Sequence, residues 1–486
     1  MRIKFARRQR LFYGREDEIG FLDDLWDKGV ASLVVCSGRR RIGKSTLIEE
    51  FAGKSRCRFI EIEGLAPDEG VTNDMQLKNF CERLASQTGM PEARADGWPK
   101  AFDALHAALR GRGRTVVLLD EISWMGAFDK AFPAYLKNAW DQQFSRRPNL
   151  VFVICGSVSS WIADNILNSR AFVGRISLDL KVDELPLSVC RQFWGRAADR
   201  VSTREMFDLL SVTGGVPKYL AEMRPSLSAA ENIRRLCFSD KGYLYGDFDR
   251  IFTDIFRRSA DERGSILRAL ARRPLSLKSL AGELGVSANG HLSKAVKELT
   301  EAGFVSADEG LNPVDGRKVR EIAYRIRDNY VRFYLKYIEP KKVAIRNGSY
   351  AFASLEDLSG WDGMMGLQFE NLVRGNVRAL LPMIGFGNSV VTSVAPYFKA
   401  GPSKGDGFQI DLLVQTKSSV CVVEIKRQAR IPASVEDEVR EKVRRLALSR
   451  SRSVRTALVF EGRLAPEIAE NAYFDFLVPA ERFLRP

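Results

Sequence analysis

Gly38-Arg39-Arg40-Arg41-Ile42-Gly43-Lys44-Ser45 decides the reading of this 486-residue chain. The apolar run Leu33-Val34-Val35-Cys36 before it reads as a buried strand, and Thr46-Leu47-Ile48-Glu49-Glu50-Phe51 after it reads as a helix. Strand, glycine loop and helix in that order form the setting that a phosphate-binding loop requires. The two glycines let the backbone close around phosphate oxygens, so that successive N–H groups and the helix N-terminus face the anion. Gly38 through Thr46 are therefore the candidate nucleotide contacts. Lys44 would reach the β and γ phosphates of ATP, and the Ser45 hydroxyl would complete a Mg2+ shell.

Working outward, Thr115-Val116-Val117-Leu118-Leu119-Asp120-Glu121 is an apolar strand that ends in two carboxylates. Buried parallel strands read as continuous apolar runs, and an acid at the carboxyl end faces the ligand crevice. Asp120 would hold the Mg2+ through water and Glu121 would polarise the attacking water as general base. A further strand, Leu150 to Cys155, runs into Gly156-Ser157, and Ser157 is the candidate side chain for sensing the γ-phosphate. Two arginines are candidates for supplying transition-state charge, Arg15 before the first helix and Arg175 in Phe172-Val173-Gly174-Arg175. Spacing alone does not choose between them.

Phe12-x-Gly14-Arg15-x-x-Glu18, the glycine loop, Leu119-Asp120-Glu121, Gly156-Ser157, Gly174-Arg175 and Gly214-Gly215-Val216-Pro217-Lys218-Tyr219 follow one another in order. Over about residues 11 to 225 this series resembles the archaeal-type prokaryotic ATPases on the AAA+ and STAND side of the P-loop class. Arginines inside the loop, here Arg39 to Arg41, are usual in that family. The resemblance implies an ATP-driven switch with a helical lid, the Gly214 to Tyr219 turn lying in the lid near the nucleotide.

Downstream, Ser265 to Ala271, Ser276 to Ser287 and His291 to Leu299 read as helices, with a glycine-containing turn before the last and Ala302-Gly303-Phe304 closing it. Two short helices across such a turn make a helix-turn-helix signature, and the strands that follow would form a wing with Arg317, Lys318 and Arg320 near its hairpin. If DNA is read here, His291, Lys294 and Lys297 lie on the exposed side of the second helix; winged helices also serve as structural joints. The aromatic run Tyr324 to Tyr334 reads as packing against the next module.

Past Pro340 the pattern changes again. Phe408-Gln409-Ile410-Asp411-Leu412-Leu413-Val414 and Val420-Cys421-Val422-Val423-Glu424-Ile425-Lys426 read as two strands of a hairpin, with Asp411 and Glu424 facing across it and Lys426 on the face of Glu424. Two carboxylates can hold Mg2+ ions that generate hydroxide and steady the charge on a phosphodiester. Gly366 to Val373 reads as a helix bearing Glu370, a candidate third acid. Glu, Asp and Glu-x-Lys in helix–strand–strand order resemble the PD-(D/E)xK core of restriction-enzyme-like nucleases. They also resemble the domain of unknown function that often follows this ATPase type, over about residues 345 to 486. The helix Val435 to Leu448, rich in arginine and lysine, either lines a DNA surface or is solvated.

Composition bounds these readings. The chain is 45% hydrophobic and 28% charged, the balance of a globular protein with ample core. Its formal charge of +14 admits a polyanionic partner. Seven scattered cysteines without a CxxC pair read as reduced core thiols, which suits the cytoplasm. Two distant histidines, His106 and His291, argue against a zinc site or a histidine relay. The arm Met1 to Arg10 is basic, without the apolar segment of a signal peptide, and no run approaches the ~20 residues of a membrane span.

The expected architecture is a multidomain α/β chain: a P-loop NTPase core with a parallel sheet (11–180), a helical lid (181–255), a winged helix (256–340) and a restriction-endonuclease-like α/β domain (345–486). ATP and Mg2+ are the expected cofactors. DNA and further copies of the chain are the expected partners, with no membrane. The leading expectation is an ATPase whose nucleotide state controls a DNA-directed, Mg-dependent nuclease-like domain. Two alternatives stand beside it: a nucleotide-controlled DNA-binding or partner-recruiting switch on a non-cleaving nuclease-like scaffold, and an ATPase that remodels protein partners.

Overall fold

The computed structural model describes residues 11–109, 111, 113–157, 159–256, 259–319, 322–399, 407–448 and 452–485. The basic arm Met1 to Arg10 and the expected wing residue Arg320 lie outside the described residues. The chain divides into two compact units, Gly14–Asp183 and Glu184–Pro486 together with the run before Gly14.

The first unit is built on five parallel strands: β1 (Ser32–Ser37), β2 (Arg58–Glu63), β3 (Thr115–Asp120), β4 (Leu150–Gly156) and β5 (Ile176–Lys181), in the order β2-β3-β4-β1-β5. Every residue of β1 and β4 is buried, because helices cover both faces of a parallel sheet, and this is why those strands read as unbroken apolar runs. Helices α1 (Glu16–Asp27), α2 (Lys44–Lys54), α3 (Asn73–Thr88), α4 (Trp98–Ala108) and α5 (Phe132–Gln142) accompany the sheet. On one side Phe80, Trp98, Phe102 and Phe132 join Leu33, Val35, Ile60 and Phe152 in a single core. The parallel register carries the carboxyl ends of the strands to one edge: Ser37 pairs with Gly156, and Glu63 with Asp120. Strand order reverses around β1, the place where α/β sheets open a ligand crevice.

In the second unit, α6 (Thr203–Thr213) starts at Ser202, whose side chain accepts from the Glu205 N–H. Helices α7 (Ala260–Arg272), α8 (Leu277–Leu284) and α9 (Gly290–Glu301) follow, with a small antiparallel sheet of β6 (Leu275–Ser276), β7 (Val305–Asp308) and β8 (Ala323–Ile326) in the order β6-β8-β7. Gly285 takes a left-handed φ of 68° to end α8, and the Asn289 side chain caps α9 by accepting from the Leu292 N–H. The aromatic run behind this sheet is core: Tyr330, Phe333 and Tyr334 are buried.

The C-terminal sheet is mixed. Strands β9 (Ser393–Lys399), β10 (Phe408–Gln415) and β11 (Ser419–Ile431) run antiparallel, and β12 (Ser453–Leu464) and β13 (Phe476–Pro479) continue parallel to β11. Helix α10 (Trp361–Gly375) precedes the sheet; α11 (Ser434–Leu446) makes the crossover that parallel neighbours require. Val435, Val439 and Leu446 of α11 are buried against Val420, Val422 and Leu458, each contributing roughly 1.5–3 kcal/mol.

Helix α10 is tied to its surroundings by polar side chains. Gln368 is fully buried, donates to the carbonyls of Ser211 and Asn329 at 2.7 Å, and accepts from Arg332 at 3.1 Å. Such groups are costly to leave unpaired, about 1–3 kcal/mol each, so they set how α6, the segment after β8 and α10 meet.

Candidate functional site

The glycine loop runs from β1 into α2. At Gly38 φ is 150°, and a Cβ there would lie 2.3 Å from the Val182 carbonyl oxygen; at Gly43 a φ of 88° turns the chain into the helix. Gly38 is thus required by its backbone conformation and by the close approach of the chain at Val182, and Gly43 by its backbone conformation. Lys44 is buried and donates to the Gly38 carbonyl at 2.9 Å and the Arg39 carbonyl at 3.2 Å. Ser45 donates its hydroxyl to Asp120 Oδ2 at 2.5 Å, and Asp120 Oδ1 accepts the Glu121 N–H at 2.9 Å. A hydroxyl and a carboxylate in contact are the oxygen donors that a Mg2+ with retained waters takes, so the residues fit the expected ion.

Glu121 holds a left-handed φ of 48°, a conformation that costs a non-glycine residue energy and turns its carboxylate off the strand axis. The Ser157 hydroxyl donates to both its oxygens, at 2.9 and 3.1 Å, and the Ser157 N–H at 3.3 Å. Arg40 stands 3.8 Å from the same carboxylate, with its guanidinium 5.5 Å from the Trp124 ring centre. Ser157 therefore orients Glu121 here. Ile42 is core and its carbonyl accepts from Arg15, which also donates to the Asp183 carbonyl at 2.6 Å. Arg15 pins the loop. Thr46 follows in the first turn of α2, half-buried.

Arg175 does not join this cluster. It directly precedes β5, whose Ile176 pairs with Leu33 at the amino edge of the sheet, whereas Lys181 pairs with Ser37 beside the loop. Because the strands are parallel, the start of β5 lies at the opposite edge from the phosphate loop. That corrects Arg175 as a nucleotide contact within its own chain. It instead grips Asp141 with two hydrogen bonds, 2.6 and 2.9 Å, and pushes that carboxyl down to about 2. Conversely, Glu63 joins the cluster without a signal in the glycine loop or its neighbouring motifs. Its place opposite Asp120 sets a third carboxyl beside Asp120 and Glu121, and burial and those two charges raise its pKa. The acid ending its alternating strand was the available signal.

In the C-terminal sheet, Leu412 pairs with Val423, and one step beyond stand Asp411 and Glu424. Asp411 accepts the Ile425 N–H at 2.9 Å; burial, then Glu424 and Glu370, push its carboxyl up to about 7. Glu424 is 2% exposed and sits between two ammonium groups, Lys426 at 3.1 Å and Lys442 at 2.6 Å. Lys426 also reaches Glu438 at 2.9 Å. Burial alone would lower the Lys426 pKa, but Glu424 and Glu438 outweigh it and hold it above the usual lysine value. Two buried carboxylates on adjoining strands are donors that a hard divalent cation takes while keeping several waters. Glu370 is bound to Arg374, which in turn donates to the Asp411 carbonyl at 2.7 Å. Among the described residues no three Asp, Glu, His or Cys side chains converge on a metal position.

Lys442 was not singled out from the sequence, where α11 reads as a basic helix; its spacing from the buried Val435, Val439 and Leu446 is what places it on the flank facing the sheet. On α9, Leu292, Ala295, Val296 and Leu299 are buried, while His291, Lys294 and Lys297 are exposed. His291 pairs with Glu262 at 2.9 Å and Lys297 with Glu301 at 3.5 Å. The hairpin after β7 carries exposed Arg317 and Lys318, but its base is docked on the C-terminal sheet. Gln415 donates to the Leu311 carbonyl and Arg452 to the Pro313 carbonyl, both at 2.6 Å. In the Gly214–Tyr219 turn, Leu185 donates to the Gly215 carbonyl at 2.8 Å and Gly215 to Glu184 at 2.9 Å. No helix among the described residues is long and apolar enough to cross a membrane.

Residues 12–223 match the family model of an ATPase domain predominantly from Archaea. An uncharacterized protein of Methanocaldococcus jannaschii is 21% identical over 376 residues, which span 75% of this chain and 76% of that protein. An uncharacterized ATP-binding protein of the same organism is 42% identical over 52 residues, 11% of this chain and 88% of that protein. Among solved structures, a Walker-type ATPase of Pyrococcus abyssi covers 67% of this chain and 96% of its own at 18% identity and a TM-score of 0.50, which shows the shared fold.

Proposed function

From an ATPase domain at residues 12–223 we propose an AAA+-type enzyme whose nucleotide state controls a DNA-directed, Mg-dependent nuclease-like domain at residues 345–486. The observation that carries the ATPase half is the meeting of Lys44, the Ser45–Asp120 pair and the Glu121–Ser157 pair at the carboxyl ends of β1, β3 and β4. Lys44 exchanges its two carbonyl partners for phosphate oxygens, a charge-assisted contact worth about twice a neutral one. Ser45 and Asp120 would hold a Mg2+ ion, which would supply positive charge to the phosphoryl oxygens. Glu121, aimed by Ser157, takes the proton of the attacking water.

For the second half, Asp411 and Glu424 are the metal ligands and Lys426 the neighbouring cation. A divalent ion bound there supplies a hydroxide and Lewis-acid stabilisation for phosphodiester cleavage. Helix α9, with Lys294 and Lys297 exposed, offers charge to a DNA backbone, while the docked hairpin joins that module to the C-terminal sheet. Purified protein incubated with plasmid and single-stranded DNA in Mg2+ or Mn2+, with and without ATP, tests this. Metal-dependent cutting is expected, altered by ATP and abolished in Asp411→Ala and Glu424→Ala; cutting that survives both changes overturns the acid-pair assignment.

One observation favours a second reading. Both Glu424 oxygens are already engaged by lysines, as in a scaffold that does not cleave and serves an ATP-controlled DNA-binding or partner-recruiting switch. DNA binding without cutting in that assay selects it.

A further inference from the structure

The lysine of the Glu424-x-Lys426 pattern is not the one held closest to the acid pair. Lys442 Nζ lies 2.6 Å from Glu424 Oε2, against 3.1 Å from Lys426 Nζ to Oε1. Lys426 is moreover shared with Glu438, whereas Glu424 is the carboxylate that Lys442 grips. The Lys442 side chain is 19% exposed, because α11 is anchored three residues before it by Val439 and four after it by Leu446. Its stem is packed and its ammonium is delivered to one place.

We propose that the Lys442 ammonium is the resident counter-ion of the Asp411/Glu424 pair and that an incoming divalent cation must displace it from Glu424. The inference rests on the metal-site reading above and deepens it. A tethered cation within reach of the same oxygens competes with the ion by occupancy and by charge repulsion, so it lowers metal affinity while keeping the empty site folded. This assigns different parts to the two lysines. Lys426, braced by Glu438, stays in place when metal enters; Lys442 yields.

The test is Mn2+ affinity of the full chain, without nucleotide or DNA, by calorimetry or by the free-ion electron paramagnetic resonance signal. Lys442→Gln is expected to bind Mn2+ at least about 30-fold more tightly, the gain that removing a unit charge ~4 Å from a divalent ion gives even at the dielectric constant of water. Lys442→Met, which keeps the apolar stem against the sheet, carries the same expectation, and Lys442→Arg should match the unaltered protein. The gain should vanish in a Glu424→Gln background, which separates this site from any ion bound at Ser45 and Asp120. Glu424-dependent Mn2+ binding that is unchanged or weakened in Lys442→Gln and Lys442→Met overturns the inference and leaves the metal site standing. No Glu424-dependent binding in any variant overturns both.

Discussion

The phosphate loop and the C-terminal acid pair solve opposite electrostatic problems. At the loop the buried cation, Lys44, donates to carbonyl dipoles, and the acids Asp120 and Glu121 are held at hydrogen-bond distance by the hydroxyls of Ser45 and Ser157, with Arg40 at a longer 3.8 Å from Glu121. At the acid pair both Glu424 oxygens are closed by full ammonium charges. On the proposed reading the first site would take an anion together with a metal, and the second would give up a cation before taking one. Neutral partners are released at small cost, whereas buried ion pairs cost several kcal/mol to break one-sidedly. A site closed by ions is thus the better candidate for control by another part of the protein, and a site closed by dipoles suits rapid turnover.

The largest effect that would break this contrast belongs to the loop. Glu121→Gln should lower ATP turnover by about 10²- to 10⁴-fold, the usual share of a general base, while nucleotide affinity is retained. Steady-state phosphate release with parallel nucleotide titration decides it; normal turnover would mean that another group, such as Glu63, activates the water. Lys44→Ala should weaken ATP binding about 30-fold or more, corresponding to roughly 2 kcal/mol for a truncated charge contact. Calorimetry reads this, and Mn2+ affinity at Asp411 and Glu424 should not change in the same variant.

The smallest effect comes from Arg175 and Asp141, a half-exposed pair that serves as a reference for both sites. The Arg175 guanidinium holds Asp141 near 2, below its ordinary 3.8. A depressed carboxyl stabilises the fold fully above its unfolded value and loses that contribution as pH falls through the folded one. Asp141→Ala should therefore cost about 0.5–1 kcal/mol at pH 7, and the difference should fade between pH 4 and pH 2 in thermal unfolding. An unchanged difference at pH 2 would show that the side chain acts by packing.

Local chemistry made the glycine loop and the acids beside it legible. Gly38, Gly43, Lys44 and Ser45 lie within eight residues, and Asp120 and Glu121 end a strand that could only be buried. Which arginine meets the nucleotide was not legible, because it depends on which edge of the sheet a residue reaches; Arg175 sits at the wrong one for its own loop. The ion pair of Glu370 was not legible either. The helix position of Glu370 suits a third ligand, but its neighbour one turn on is Arg374, which claims it. The hairpin after β7 reads as a wing, yet Gln415 at the end of β10 and Arg452 just before β12 take its backbone carbonyls.

By itself the sequence determined the strand–loop–helix cradle, the acid-tipped strands and the Asp411/Glu424 hairpin, since each rests on interactions a few residues apart or on a period of two along a strand. Only the tertiary structure decided that Ser157 aims Glu121, 36 residues away, and that Lys442 closes Glu424 from across a helical crossover, 18 residues away. Those pairings are set by strand order and by how a helix seats on a sheet. Both follow from burying apolar surface over the whole domain, and no local window of sequence contains that balance.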